Sequence, residues 1–216
     1  MSFPALDTHP ANGGSPLTSI ALYWDVGTNG ANWAALVGET TASLVSSLIV
    51  TNVTRSGLYQ FKHRAHNIFG AGTHSSVTTI KAATKPDVMV APVTAVAAGS
   101  NVRISWVAPD DRGDTITAYI IQIQTSVAGT YVNDTTNCNG SSSVTVSNKY
   151  CDIPLATLQQ LAGTNLSQGD LVVAKVQATN AYGTGSESPA NTVGALIEVV
   201  PHKPNTPARG PLTHET

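Results

Sequence analysis

Two stretches decide how this chain of 216 residues folds: YQFKHRAHNIFGAGTHS, from Tyr59 to Ser75, and VVAKVQATNAYGTGSES, from Val172 to Ser188. They align without a gap, their first residues 59 and 172 lying 113 positions apart. Ala65 matches Ala178, Asn67 matches Asn180, Gly70 matches Gly183, Gly72 matches Gly185 and Ser75 matches Ser188. Each begins with an alternating strand pattern. Tyr59, Phe61, His63 and Ala65 share one face of the first, and Val172, Ala174, Val176 and Ala178 share one face of the second. The Asn-x-x-Gly-x-Gly that follows predicts a turn whose glycines supply positive φ.

A second pair lies upstream. GGSPLTSIALYWD (Gly13 to Asp25) parallels RGDTITAYIIQIQ (Arg112 to Gln124), each a Gly/Pro/Asp turn followed by Leu/Ile-Thr and alternating apolar positions. VRISWVAPDD precedes the second of these, with Val102, Ile104 and Trp106 on one face and Pro109-Asp110 opening the loop.

The rest of the composition agrees with strands. Val, Thr, Ile and Ser come in short runs punctuated by 18 Gly and 12 Pro, a texture of many short strands rather than long helices. Eleven Lys and Arg spread along a chain of net charge -2 make no basic stripe, so a nucleic-acid partner is not expected. No apolar run approaches the roughly 20 residues of a membrane helix. The N-terminus has neither the basic nor the apolar region of a signal peptide.

Taken together, these residues resemble the fibronectin type III family. The resemblance rests on a strand ending in Trp106, a loop with Pro109, then Ile116-Thr117-x-Tyr119, and finally Ala178, Asn180, Gly183, Gly185 and Ser188. Residues 86–200 carry nearly all of it. It implies an all-β fold of two sandwiches, each of seven strands in two sheets with Greek-key connections. Trp106 would lie between sheets, and Tyr59 would be the tyrosine-corner residue of the first copy. Val172 stands at that place in the second copy, which should therefore lack the corner bond.

The first copy reads as incomplete, lacking its first strands. The expected division is residues 1–84 for the incomplete sandwich, 85–200 for the complete one, and 201–216 for a linker and strand segment of a next domain. Joining PHKPNTPARGPLTHET to MSFPALDTHPANGG places Phe3 where Trp106 sits and Met1 where Ile104 sits. Lys203-Pro204-Asn205 then falls where Lys85-Pro86-Asp87 opens the second copy. Pro207, Leu212, Thr213, Glu215, Met1 and Phe3 become the candidate inter-repeat strand residues, with Glu215 mismatched against Val102. A peptide bond, strand exchange between chains, or a tail folding onto its own head would each complete the sandwich.

Cys138 and Cys151 flank NGSSSVTVSNKY, which reads as a hairpin. A disulfide is expected, the alternative being two free buried thiols. Asn-x-Ser/Thr occurs at Asn52, Asn133, Asn139 and Asn165, four candidate N-glycosylation sites. Together they point to an extracellular or cell-surface location.

Other chemistry is sparse. Asp110, Asp111 and Asp114 could offer oxygens to calcium, but Arg112 stands among them and a solvated acidic turn accounts for them better. Arg112-Gly113-Asp114 matches an adhesive triplet; a turn using Gly and Asp is the plainer account. His63 and His66 are oddly spaced on a strand and cannot share a metal. His9, His74, His202 and His214 read as surface residues. Trp24 and Trp33 flank VGTNGAN and read as cross-strand packing. No nucleophile elbow, phosphate loop or Cys-x-x-Cys is present, so no enzyme, no cofactor and no metal are expected.

The expected function is that of a structural extracellular glycoprotein: the repeating unit of a head-to-tail array or filament whose partners are copies of itself. Tandem repeats of large surface proteins of single-celled eukaryotes are similar. The alternatives are an adhesion or receptor ectodomain fragment and a carbohydrate-binding accessory module.

Overall fold

The structure, a computed structural model, describes residues 12–160 and 165–199. The six candidate inter-repeat residues lie outside these. All sheets are antiparallel, and the described chain falls into two compact units. The first takes in the described residues to Val88, with Ala108–Ala118 and Ala178–Ser186; the second holds Met89–Val107, Tyr119–Gln177 and the residues from Glu187.

In the first unit β1 (Leu17–Trp24), β2 (Ala34–Val37), β3 (Leu58–Asn67), β4 (Gly70–Ala71) and β5 (Thr78–Lys81) form one five-stranded sheet. Its order is β2-β1-β3-β4, with β5 also paired to β3. Leu22 faces His63 and Trp24 faces Phe61 across β1 and β3. The alternation of apolar residues has its physical outcome here: Ile20, Leu22, Tyr59 and Phe61 make the buried cluster, with Trp24, Leu36, Leu48 and Val50 packed against it. Toward the end of β3 the burial fades, and His63 and Ala65 are only half-buried.

The second sandwich has seven strands in two sheets. One has the order β10 (Tyr150–Pro154), β7 (Asn101–Ser105), β6 (Val93–Ala97). The other runs β12 (Gly183–Thr184), β11 (Ala174–Asn180), β8 (Ala118–Gln124), β9 (Tyr131–Val132). The chain changes sheet between β7 and β8, between β9 and β10, and between β10 and β11, as a Greek key requires. Val102, Ile104 and Ile153 from one sheet and Ile121, Ile123, Ala174 and Val176 from the other are buried. Trp106 joins them, its ring 5.1 Å from that of Tyr119.

The segment between the cysteines differs from the expected hairpin. It contains helix α1 (Ser143–Asn148), ended by Lys149 at φ 61°. The run Ser-Val-Thr-Val-Ser has strand propensity, but its surroundings override it. Gly140 is fixed against β8, where Tyr119 N–H donates to Gly140 O at 2.9 Å, and β10 is committed to β7. The few residues between are wound into a turn of helix to span so short a gap. A second short helix, α2 (Leu155–Gln160), follows β10 and buries Leu158.

Tyr59 holds the corner expected of it. The Thr54 N–H donates to its hydroxyl at 2.6 Å, five residues upstream. Tyr59→Phe keeps the ring and removes one such bond. It should lower the stability of the first unit by about 1 kcal/mol in urea unfolding; an unchanged midpoint would show the bond to be idle.

Candidate functional surfaces

The β1–β2 connection is built around Asp25, which is fully buried. Its carboxylate accepts from Gly27 N (2.9 Å), Gly30 N (3.0 Å) and Gln60 N (2.9 Å). Burial pushes the carboxyl upward, but the amide donors of Gln60, Gly27 and Gly30 outweigh it and hold its pKa below the ordinary value. Trp24 stacks on Tyr59 with centroids 5.6 Å apart. Trp33 Nε1 donates to Gly30 O at 3.1 Å, and the Lys62 ammonium lies 4.0 Å from its ring centroid. Both indoles are engaged within the protein.

Glu39 gathers a polar cluster that the sequence did not announce. It binds the Tyr23 hydroxyl and Arg64, and His66 Nε2 lies 3.3 Å away. The Tyr23 and Arg64 hydrogen bonds hold the Glu39 carboxyl below its usual range. Lying in a loop, Glu39 carries no periodic signal that could have paired it with those strands.

The acidic turn is tied into the first unit. Arg55 reaches Asp110 (2.7 Å) and Asp111, Arg112 Nε reaches Asp87 Oδ1 (2.7 Å), and Lys81 Nζ reaches Asp114 Oδ1 (2.5 Å). The Arg112 backbone N–H and the Arg55 guanidinium lower Asp110; the Gly113 N–H and Arg55 lower Asp111; Lys81 and the Ala181 N–H lower Asp114. These carboxylates have cations and amides as partners. All three residues of Arg112-Gly113-Asp114 are held, since Ser56 Oγ also donates to Gly113 O at 3.0 Å. Among the described residues no group of three or more His, Cys, Asp and Glu could hold a metal.

Cys138 and Cys151 form a disulfide with Cα atoms 5.2 Å apart. Beside it Asp134 is buried and accepts from Thr136 N (3.0 Å), Asn137 N (3.1 Å) and Asn137 Nδ2 (2.7 Å). A Cβ on Gly140 would lie 1.8 Å from Tyr119 O, so only glycine fits against β8 there. Asn52, Asn133, Asn139 and Asn165 are all exposed. Asn139 Oδ1 accepts from Ser141 N at 3.0 Å, an Asx turn.

The turns at Asn67–Ser75 and Asn180–Ser188 carry the same bonds. Asn67 Oδ1 accepts from Phe69 N at 2.9 Å, and Asn180 Oδ1 from Tyr182 N at 2.8 Å. Gly72 N donates to Ala65 O at 2.8 Å, and Gly185 N to Ala178 O at 2.8 Å. Ser75 Oγ accepts from His63 N at 3.1 Å, and Ser188 Oγ from Val176 N at 3.0 Å. The matched glycines signalled the turn; the matched Asn and Ser, whose short polar side chains bond neighbouring backbone, signalled the rest.

These features define an all-β, fibronectin type III-like fold. No known family's sequence profile matches the chain, and no curated protein matches it either. Solved structures do. The FN1–FN3 domains of chicken CNTN1 share 14% identity over 83% of this chain and 57% of theirs, at a TM-score of 0.38. Domains A168–A170 of titin share 19% over 80% of this chain and 52% of theirs, at 0.43. The sixth fibronectin type III domain of human fibronectin type III domain containing protein 3 shares 18% over 56% of this chain and 95% of its own, at 0.38. The chain thus spans little more than half the length of the first two. No described helix is long and apolar enough to cross a membrane.

Proposed function

We propose that this chain is a structural extracellular glycoprotein, the repeating unit of a head-to-tail array or filament of fibronectin type III-like sandwiches. The observation that carries the reading is the recurrence, bond for bond, of one turn at Asn67–Ser75 and Asn180–Ser188. One copy of the pattern belongs to a sandwich with both sheets, while the described strands of the other belong to a single sheet. The residues after 200 supply the missing strands of a neighbouring copy, Met1 and Phe3 continuing them. A disulfide suits an oxidising compartment, and sugars on the four exposed asparagines cover the surface. The function is mechanical and needs no cofactor.

Electron microscopy of the native material tests this. Fibres whose axial repeat corresponds to one chain are the expected result. A stable monomer that tolerates deletion of residues 201–216 would remove the reading.

A further inference from the structure

Among the described residues the two matched turns differ in one respect: one is covered and the other is open. Asn180 is 4% exposed, and its Nδ2 donates both to Asp111 O (3.0 Å) and to Thr84 O (2.8 Å). Gly185 is buried, and a Cβ there would lie 2.7 Å from Pro86 O and 3.2 Å from Asp87 O. The backbone of Thr84–Asp87 therefore runs directly over this glycine, all within the first unit.

At the other turn Asn67 Nδ2 donates to Asn12 O at 3.1 Å. Asn12 immediately precedes Gly13 as Asp111 precedes Arg112, so this bond is the counterpart of that to Asp111. No described residue takes the place of Thr84. Gly72 is exposed, and a Cβ there meets no described atom closer than Ala65 O at 3.4 Å. Where Lys85-Pro86-Asp87 lies on the second turn, the first has a cleft of about 300 Å³ lined by Leu17, Ala65, Asn67, Phe69, Gly70 and Gly72. Beside it Ile68 and Phe69 are 74% and 82% exposed.

We infer that this cleft receives residues 202–205 of a second copy of the chain. Lys-Pro occurs twice in the sequence, at Lys85-Pro86 and at Lys203-Pro204. Proline holds such a segment extended and leaves its carbonyls free of local partners. By analogy with the occupied turn, Asn67 Nδ2 donates to the His202 carbonyl, and the Pro204 carbonyl passes over Gly72, where only hydrogen leaves room. This rests on the head-to-tail reading and names the surface that fixes one copy's linker on the next.

Disulfide trapping tests it. The full chain carrying Ala71→Cys, in the cleft beside Gly72, is mixed with the full chain carrying Pro204→Cys under mild oxidation, with Val193→Cys, exposed in the second unit, as the control partner for Pro204→Cys. Phe69→Cys, exposed and lining the same cleft, replaces Ala71→Cys if that chain does not fold. The expected result is at least roughly tenfold more mixed dimer with the cleft cysteine than with the control, as a raised effective concentration requires. Equal yields overturn the inference. Micrographs of the unmodified chain separate the two readings. Fibres without trapping remove this docking site and leave the head-to-tail reading. Trapping without fibres keeps the site and removes the filament. Neither removes both.

Discussion

Asp25→Ala should destabilise the first unit by about 3 kcal/mol, measured by urea unfolding followed by circular dichroism. The substitution removes a fully buried carboxylate and leaves the amide groups of Gly27, Gly30 and Gln60 without their acceptor, Gly30 and Gln60 being half-buried and Gly27 exposed. A fully buried amide left without a partner costs about 1–3 kcal/mol; these three are partly accessible, so water recovers part of that cost and the sum stays at about 3 kcal/mol. Asp25→Asn should fall between, because its amide keeps one acceptor oxygen but turns two hydrogens toward donors. The carboxyl is held below its ordinary pKa, so its contribution is complete above the unfolded value of about 4 and is lost as pH falls through the lower folded value. Wild type should therefore lose stability in acid more steeply than Asp25→Ala. A variant as stable as wild type would show that the connection holds without its carboxylate.

The paired substitution Cys138→Ala, Cys151→Ala should destabilise the second unit by about 3 kcal/mol, the entropy restored to the unfolded chain by opening a loop of this length. The sequence separation is 13. Both cysteines are buried, so reductant alone should act slowly on the folded chain and the substituted chain gives the cleaner measurement. The readout is the unfolding midpoint with and without reductant: wild type should shift and the substituted chain should not. If the two chains unfold together in oxidising buffer, the bridge contributes nothing to stability.

Parts of this protein were legible in the sequence for a definite reason. Tyr59 and Phe61 in β3, and Ala174, Val176 and Ala178 in β11, each have one face in a core, and burial of one face writes a period of two into the chain. Trp106 followed from the resemblance and lies in the core as it implied; its packing on Tyr119 belongs to the fold. Where local pattern and tertiary tethers disagreed, the pattern misled. Val144 and Val146 alternate as in a strand, yet they lie in α1 because both ends of their segment are fastened. Asp25 showed no role in the sequence because one of its three donors, Gln60, is 35 residues away. The candidate glycan sites were legible as triplets alone; their exposure belongs to the fold.

Gly140 has a meaning beyond its own fit. Its carbonyl takes the hydrogen of Tyr119, at the end of β8 that β9 does not reach. An open strand edge is where a foreign chain adds most readily, by the same backbone bonding that builds a sheet. Here that edge is closed from within, by a residue standing between Asn139 and Ser141 in a segment that the disulfide anchors. Any larger residue in the middle of that triplet would lift the segment off the strand and expose the edge. The candidate triplet Asn139-Gly140-Ser141 would tolerate any residue but proline at its middle; it is the close approach to Tyr119, and not the triplet, that demands glycine there.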